Sequence, residues 1–296
     1  MALLAFVFIS SSALAIGGRF DEFIKKLPVI AREEKIFAPL PVLAEGVNFP
    51  VISSQGALAT DLDSGINLYE KNSDAPLLPA STTKIVTALV SLDAYPLDQV
   101  LKVGKFRVDG QKMGLRMVEE MRVEDLLYGL LVYSANDAAE VLAMNYPGGY
   151  DAFISAMNAK AKELSMSNSN FQNPVGLDGS TQVTTAKDLV RVSEVAMRIP
   201  EFAKIVSTKQ ITVKDATGKI SYNLRNINEL LGRVPGVLGV KTGWTPDSRE
   251  NIVTYIERDG HKVMIAVLGS QDRFGETKEL IDWIFANYNW QKVNPY

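Results

Sequence analysis

A chain of 296 residues is long enough for one large domain or two smaller ones, and 47% apolar with 22% charged residues is ordinary globular composition with material for a sizeable core. A net charge of −3 and a pI near 5.4 force no basic face and argue against a nucleic-acid binder. The absence of cysteine excludes disulfides, thiolate metal sites and a cysteine nucleophile, a single histidine excludes a His-rich zinc site, and no metal or cofactor is implied.

Residues 2–16 are apolar apart from Ser10, Ser11 and Ser12. That length suits the apolar region of a signal peptide better than a full membrane span, which needs roughly 20 residues, and Ala13-Leu14-Ala15 offers a small-x-small cleavage site. No lysine or arginine precedes the run, so the positive leader region is missing. Residues 1–18 are therefore read as a signal peptide or membrane anchor, with a buried core helix as the alternative. Residues 19–50 carry Pro28, Pro39, Pro41 and Pro50 among mixed charges, without a sustained period, and read as a linker.

The remaining domain, 51–290, opens with a hairpin over 55–70 around Asp63-Ser64-Gly65. A helix follows over 81–94. Its apolar positions Ile85, Val86, Leu89, Val90 and Leu92 go most of the way round, which predicts a helix central to the core, ended by Pro96. Helices are expected over 123–132, 137–144 and 150–164; in the last, Phe153, Ile154, Met157, Ala161 and Leu164 form one stripe. Thr185-x-x-Asp188 resembles a capping box for a helix to about Met197, closed by Arg198-Ile199-Pro200. Short strands are expected at 209–213 and 220–224, then a strand at 237–242. A hairpin, 251–257 and 262–268, flanks Asp259-Gly260, and a final helix covers 275–288. This order predicts an α/β (α+β) fold. One antiparallel sheet of about five strands, flanked by helices, is built from both ends of the chain, with an all-helical insertion at about 97–205.

Chemistry concentrates in three short elements: Ser81-x-x-Lys84, Ser134-Ala135-Asn136 and Lys241-Thr242-Gly243. A serine and a lysine three apart on a helix share a face, so an uncharged amine can take the serine proton without any histidine. Each element alone is weak. At ordinary residue usage the first two patterns arise about once by chance in such a chain, and K-T-G about a tenth as often; Ser221-Tyr222-Asn223 is indeed a second S-x-N. Read structurally, Lys84 is an exposed helix lysine, Ser134 a cap, Asn136 a turn residue and Thr242-Gly243 a strand end. His261 follows a turn and is expected at the surface, while Asp178 and Asp188 are expected to serve a loop and a helix start.

Together and in this order the elements are those of penicillin-binding proteins and class A β-lactamases. With 79–84 (PASTTK), 130–139 (LLVYSANDAA), 173–178 (NPVGLD), 184–189 (TTAKDL) and 239–245 (GVKTGWT), the chain resembles the serine D-alanyl-D-alanine carboxypeptidases, the low-molecular-mass penicillin-binding proteins of peptidase family S11, from about Gln55 to Trp290. The resemblance implies a β-lactamase/transpeptidase-like catalytic domain and the following roles. Ser81 is the nucleophile and Lys84 its base, made neutral by burial and by the nearby Lys241 charge. Ser134 relays a proton to the leaving amine. Asn136 binds the substrate amide. Lys241 and Thr242 hold the terminal carboxylate, with Arg273 as a second contact. Gly243 lets substrate lie along the strand, and the backbone N–H groups of Ser81 and Trp244 form the oxyanion hole.

The partners implied are a peptidoglycan stem peptide ending in D-Ala-D-Ala and β-lactam antibiotics, with no nucleic acid. Membrane contact is expected only through the N-terminal segment, and the location is the extracytoplasmic bacterial cell envelope, secreted or tethered to the outer face of the cytoplasmic membrane. Ala135 stands where the family usually has glycine, a change expected to be tolerated because only the flanking side chains act; Ser248-Arg249 stand where it tends to Ala-Gly, which predicts altered strand geometry behind the site and altered substrate choice. The family's common C-terminal β domain and membrane-associating helix are not expected after residue 290. Two alternatives stand beside the carboxypeptidase. A class A β-lactamase needs a deacylating glutamate, and 165–182 contains none. A non-catalytic penicillin-binding sensor draws on Arg249 and the lack of a C-terminal domain.

Overall fold

The computed structural model of the protein describes residues 38–292; the expected signal or anchor segment and most of the expected linker lie outside them. In chain order the elements are β1 (Leu40–Leu43), β2 (Gly56–Asp61), β3 (Asn67–Lys71), α1 (Lys84–Ala94), β4 (Val100–Lys102), β5 (Glu120–Arg122), α2 (Val123–Leu131), α3 (Asn136–Met144), α4 (Tyr150–Glu163), α5 (Ala186–Met197), α6 (Pro200–Val206), β6 (Gln210–Lys214), β7 (Ser221–Arg225), β8 (Val237–Thr245), β9 (Arg249–Arg258), β10 (His261–Ser270), α7 (Arg273–Asn287) and β11 (Tyr288–Gln291). No helix among the described residues is long and apolar enough to cross a membrane.

Five strands form one antiparallel sheet in the order β3-β2-β10-β9-β8, so the two ends of the domain interleave and β8 is left as an edge. The run VMIAVL in β10 has no polar alternation because both faces of the sheet are covered. Met264, Ala266 and Leu268 face the larger core with α1 and α5, while Val263, Ile265 and Val267 face Leu280, Ile281 and Ile284 of α7. α1 is buried on nearly every side, as its all-round apolar pattern requires. The Asp259-Gly260 turn places both residues at positive φ, the geometry that closes a tight hairpin.

Several features depart from the sequence expectation. β1 lies inside the stretch read as linker and pairs with β11, a partner almost 250 positions away. The helical insertion also carries a two-stranded ribbon, β4–β5, and Pro200 both closes α5 and opens α6 as its first residue. Thr185 caps α5 by accepting from the Asp188 N–H at 3.0 Å. The Asp188 carboxylate does not return to the cap; it accepts instead from Asn168 N and Ser169 Oγ, tying down the preceding loop. His261 is half-buried rather than free at the surface, stacked 4.1 Å from Trp290 with its ring tilted by only 10°.

One buried amide links the sheet to the turn that starts α1. Asn251 of β9, fully buried and opposite Gly243, donates through Nδ2 to the Leu78 carbonyl at 2.8 Å and accepts the Gly269 N–H at 2.8 Å where β10 bulges. An alanine there leaves a buried carbonyl and a buried N–H unpaired. Asn251→Ala is expected to lose about 2–3 kcal/mol of stability in urea unfolding; a loss below about 0.5 kcal/mol contradicts this role.

Candidate active site

Residues 80–83 form a single tight turn that leads into α1, and Ala80 in it has φ +47°. The turn points Ser81 outward while Lys84, the first residue of α1, is fully buried. Lys84 Nζ donates to Ser81 Oγ at 2.8 Å and to the Val175 carbonyl at 2.7 Å. Burial drives its pKa from 10.5 down to about 7, against the pull of Asp137 and Glu140, which favour the charged form. Glu140, in turn, is pushed up to about 7 by burial, with the Lys84 charge opposing.

The Val175 carbonyl is set by its own loop. Asn173 Oδ1 accepts from the N–H groups of Val175, Gly176 and Leu177 at 3.3, 2.8 and 3.1 Å. Gly176 has φ +88°, and a Cβ there would stand 1.8 Å from the Ala80 carbonyl oxygen. The loop and the Ser81 turn therefore meet backbone to backbone.

Ser134, in the bend between α2 and α3, is buried with φ +62°, a costly conformation for serine. Its Oγ accepts from Lys241 Nζ at 2.8 Å, and the same amine reaches the Thr242 carbonyl at 2.9 Å. Ala135 is fully buried in the core, so the methyl that replaces the usual glycine faces away from the site. Asn136 opens α3. Its N–H donates to the Gln111 carbonyl at 2.7 Å and its Nδ2 to the Asp109 carbonyl at 2.6 Å. The second bond identifies the amide nitrogen and leaves Oδ1 as a buried acceptor with no partner among the described residues. Asp137 accepts from the N–H groups of Met113, Gly114 and Leu115 at 3.0, 2.8 and 3.0 Å. Asn136 and Asp137 together clip the 109–115 loop into place as a wall of the site. Sequence reasoning missed this wall; the acidic residue beside Asn136 was its one visible signal.

Lys241 lies well below its ordinary value through burial first, then the Lys84 and Arg273 charges. Gly243 lines the cleft and also serves the protein's own packing. A Cβ there would lie 2.9 Å from Ser81 N and 3.0 Å from the Ala80 Cβ, so glycine is what lets β8 sit against the nucleophile's turn.

Arg273 opens α7. Its guanidinium donates to the Gly243 carbonyl at 2.9 Å and lies over the Phe274 ring, and its N–H donates to Glu250 at 2.9 Å. Burial lowers its pKa, opposed by Glu250 and Glu229. Arg249 stands exposed at φ +58°, so it adopts the left-handed backbone that glycine would, and the β8–β9 turn keeps its course. Thr245 and Ser248 bond each other within that turn, and Thr245 Oγ1 also donates to Asp178 Oδ1 at 2.9 Å, joining the end of β8 to the 173–178 loop.

These walls enclose a cleft of about 650 Å³. Ser81, Ser134, Asn136, Thr242, Gly243, Trp244 and Arg273 line it, joined by Gln111, Leu177, Ile227 and Pro246, which the sequence did not single out. Lys84 and Lys241 reach it through the two serines. Of the site residues expected from sequence, none is left outside this cluster. Three buried polar atoms without partners among the described residues belong to its lining residues: Asn136 Oδ1, Thr242 Oγ1 and Arg273 Nε.

Two serine–lysine pairs facing one cleft at a sheet edge are the equipment of a histidine-free serine hydrolase. The family model for D-alanyl-D-alanine carboxypeptidase, Peptidase S11, matches residues 44–272, and the chain belongs to that family of serine peptidases. It is 34% identical over 253 residues to the D-alanyl-D-alanine carboxypeptidase DacB2 of Mycobacterium tuberculosis, covering 82% of this chain and 86% of the relative. It is 30% identical over 245 residues to DacF of Bacillus subtilis, covering 79% of this chain and only 63% of that longer protein. The crystal structure of the Streptomyces K15 DD-transpeptidase superposes with a TM-score of 0.76 at 31% identity, over 81% of this chain and all of that one.

The contact between Gly176 and the Ala80 carbonyl leaves no room for a methyl group. Gly176→Ala is expected to displace the Val175 loop, lower the melting temperature by several degrees and cut covalent labelling by a fluorescent penicillin at least about tenfold. Wild-type labelling and melting in this variant would contradict the packing described.

Proposed function

We propose that this protein removes the terminal D-alanine from peptidoglycan stem peptides through an acyl-enzyme on Ser81. The observation that carries the reading is the 2.8 Å contact between Ser81 Oγ and the fully buried Lys84 amine. With Lys84 neutral, its Nζ takes the Ser81 proton as Oγ attacks the carbonyl of the penultimate D-alanine. The backbone N–H groups of Ser81 and Trp244 receive the oxyanion. The C–N bond then breaks, Ser134 passes a proton to the departing amine, and water releases the acyl group. Asn136 Oδ1 is free to accept a substrate N–H, while Thr242 Oγ1, Lys241 and Arg273 provide donors for the terminal carboxylate. That carboxylate favours the charged form of Lys241, whose proton burial and the neighbouring cations disfavour. β-Lactams acylate the same serine.

Support for the carboxypeptidase over a class A β-lactamase comes from the loop beneath the nucleophile. It presents the Val175 carbonyl to Lys84, and no glutamate lies between residues 165 and 182. A location on the outer face of the cytoplasmic membrane, reached through the apolar residues 2–16, belongs to the same proposal.

Ser81→Ala is expected to abolish penicillin labelling and to lower D-alanine release from diacetyl-Lys-D-Ala-D-Ala by at least about 10³-fold. Labelling that survives this change removes Ser81 as the nucleophile. No release by the unaltered, folded protein favours the penicillin-binding sensor instead.

The pH dependence has a definite sign. The amine works in its neutral form, so acylation should rise with pH through an apparent pKa of about 7 and level off above it. Stopped-flow acylation by a chromogenic cephalosporin between pH 5.5 and 9 checks this. A rate that is flat across that range, or that falls, contradicts the assigned base.

A further inference from the structure

The net charge of −3 is not spread evenly over the chain. Residues 209–225, which span the β6–β7 ribbon and its tip, carry Lys209, Lys214, Lys219 and Arg225, all exposed. Their one acid, Asp215, is buried and accepts from the N–H groups of Thr217 and Ile220 within the turn, at 3.2 and 2.7 Å. Gln210 pairs with Arg225, Thr212 with Asn223 and Lys214 with Ser221, and all six face outward, while Val213, Tyr222 and Leu224 fill the core side. The outward face therefore carries hydrogen-bonding side chains between cations, and no anion. A groove of about 380 Å³ lies over it, bordered by Gln210, Thr212, Asn223 and Arg225.

A second run of cations lies alongside. Residues 104–117, part of which wall the cleft, carry exposed Lys105, Arg107, Lys112 and Arg116 against one acid, Asp109. The two runs are joined where the Ala216 N–H donates to the Glu120 carbonyl at 2.7 Å and the Tyr222 hydroxyl donates to Glu119. The acids at this join are engaged locally: Glu119 by Tyr222, and Glu120 opposite Lys102 across the β4–β5 ribbon. Both runs border the cleft. Gly110 and Gln111 line it from one, and Ile227, two residues beyond β7, from the other.

This inference rests on the proposed function, in which the substrate peptide is borne on a polymer whose other stem peptides also end in carboxylates. Such a polymer is a string of anions, and exposed cations at the rim of a site raise its local concentration there. We infer that the cationic strip over β6–β7 and residues 105–116 is a docking surface for the peptidoglycan strand, holding the carboxylates of stem peptides other than the one being cleaved. The side chains of Gln210, Thr212 and Asn223 add hydrogen-bond partners for the strand's sugars. The cleft takes one peptide end, and the strip makes the enzyme prefer ends still attached to a strand.

The test uses the unaltered full chain and two double variants, Lys214→Gln with Arg225→Gln and Lys214→Glu with Arg225→Glu, with melting temperatures to verify folding. D-Alanine release is measured from isolated peptidoglycan with intact stem peptides and from diacetyl-Lys-D-Ala-D-Ala, and each protein is sedimented with the same peptidoglycan. The glutamate pair should lower both release from peptidoglycan and co-sedimentation about tenfold, and the glutamine pair about threefold, while both stay within about twofold of the unaltered chain on the short peptide. Raising salt from about 0.05 to 0.5 M should weaken co-sedimentation of the unaltered chain. Peptidoglycan with amidated carboxylates should no longer sediment it. Equal loss on both substrates overturns the docking surface, since the ribbon then only supports the fold. So does undiminished co-sedimentation of the glutamate pair. Co-sedimentation that depends on the two cations, with no D-alanine released from either substrate by the unaltered chain, keeps the docking surface and overturns the carboxypeptidase reading.

Discussion

The architecture around Ser81 depends on one unfavourable placement: an amine with no solvent and no carboxylate in hydrogen-bond contact. Lys84 donates only to a hydroxyl and a carbonyl, and neither compensates for a positive charge as water would. A pKa lowered from 10.5 to about 7 corresponds to about 5 kcal/mol against the cationic form. That is comparable to the whole net stability of many domains. The amine is held there by the largely buried helix α1 and by two glycines. Gly176 and Gly243 let a loop and an edge strand close on the serine turn from two sides, so water is excluded by backbone rather than by mobile side chains.

The second amine shows why the site is best treated as one electrostatic unit. Lys241 and Lys84 are both buried, and Arg273 adds a third cation close by. The carboxylates nearby, Asp137 and Glu140, sit on α3 behind the wall rather than in the cleft; Asp137 is occupied in holding the 113–115 loop. The cleft thus concentrates donors and unpartnered polar atoms where an anionic peptide end can satisfy them. The family to which the chain belongs acts on such ends.

Much of this was readable from the sequence where the signal is local. The all-round apolar helix after Ser81, the Thr185 cap and the Asp259-Gly260 hairpin each follow from residues within one turn of one another. The three short motifs and their order marked the site residues because residue type and spacing are properties of the chain alone. What escaped depends on contacts made at long range. The β1–β11 pair joins the two ends of the domain, and a four-residue strand beside a proline looks like linker until its partner is known. The role of Gly243 lies in what its absent side chain would strike. Arg249, read as an obstacle to the strand, shows that a long side chain can occupy a left-handed position when it points to solvent.

The most direct measurement of the central claim is the ionisation of Lys84 itself, observed by NMR of the ε-carbon in protein carrying ¹³C-labelled lysine, with Lys84→Met to assign the signal. The account predicts one lysine resonance that loses its charge near pH 7, far below the surface lysines. If the Lys84 signal instead stayed in its charged position up to pH 9, the amine could not serve as the base for Ser81, and the mechanism built on it would be wrong.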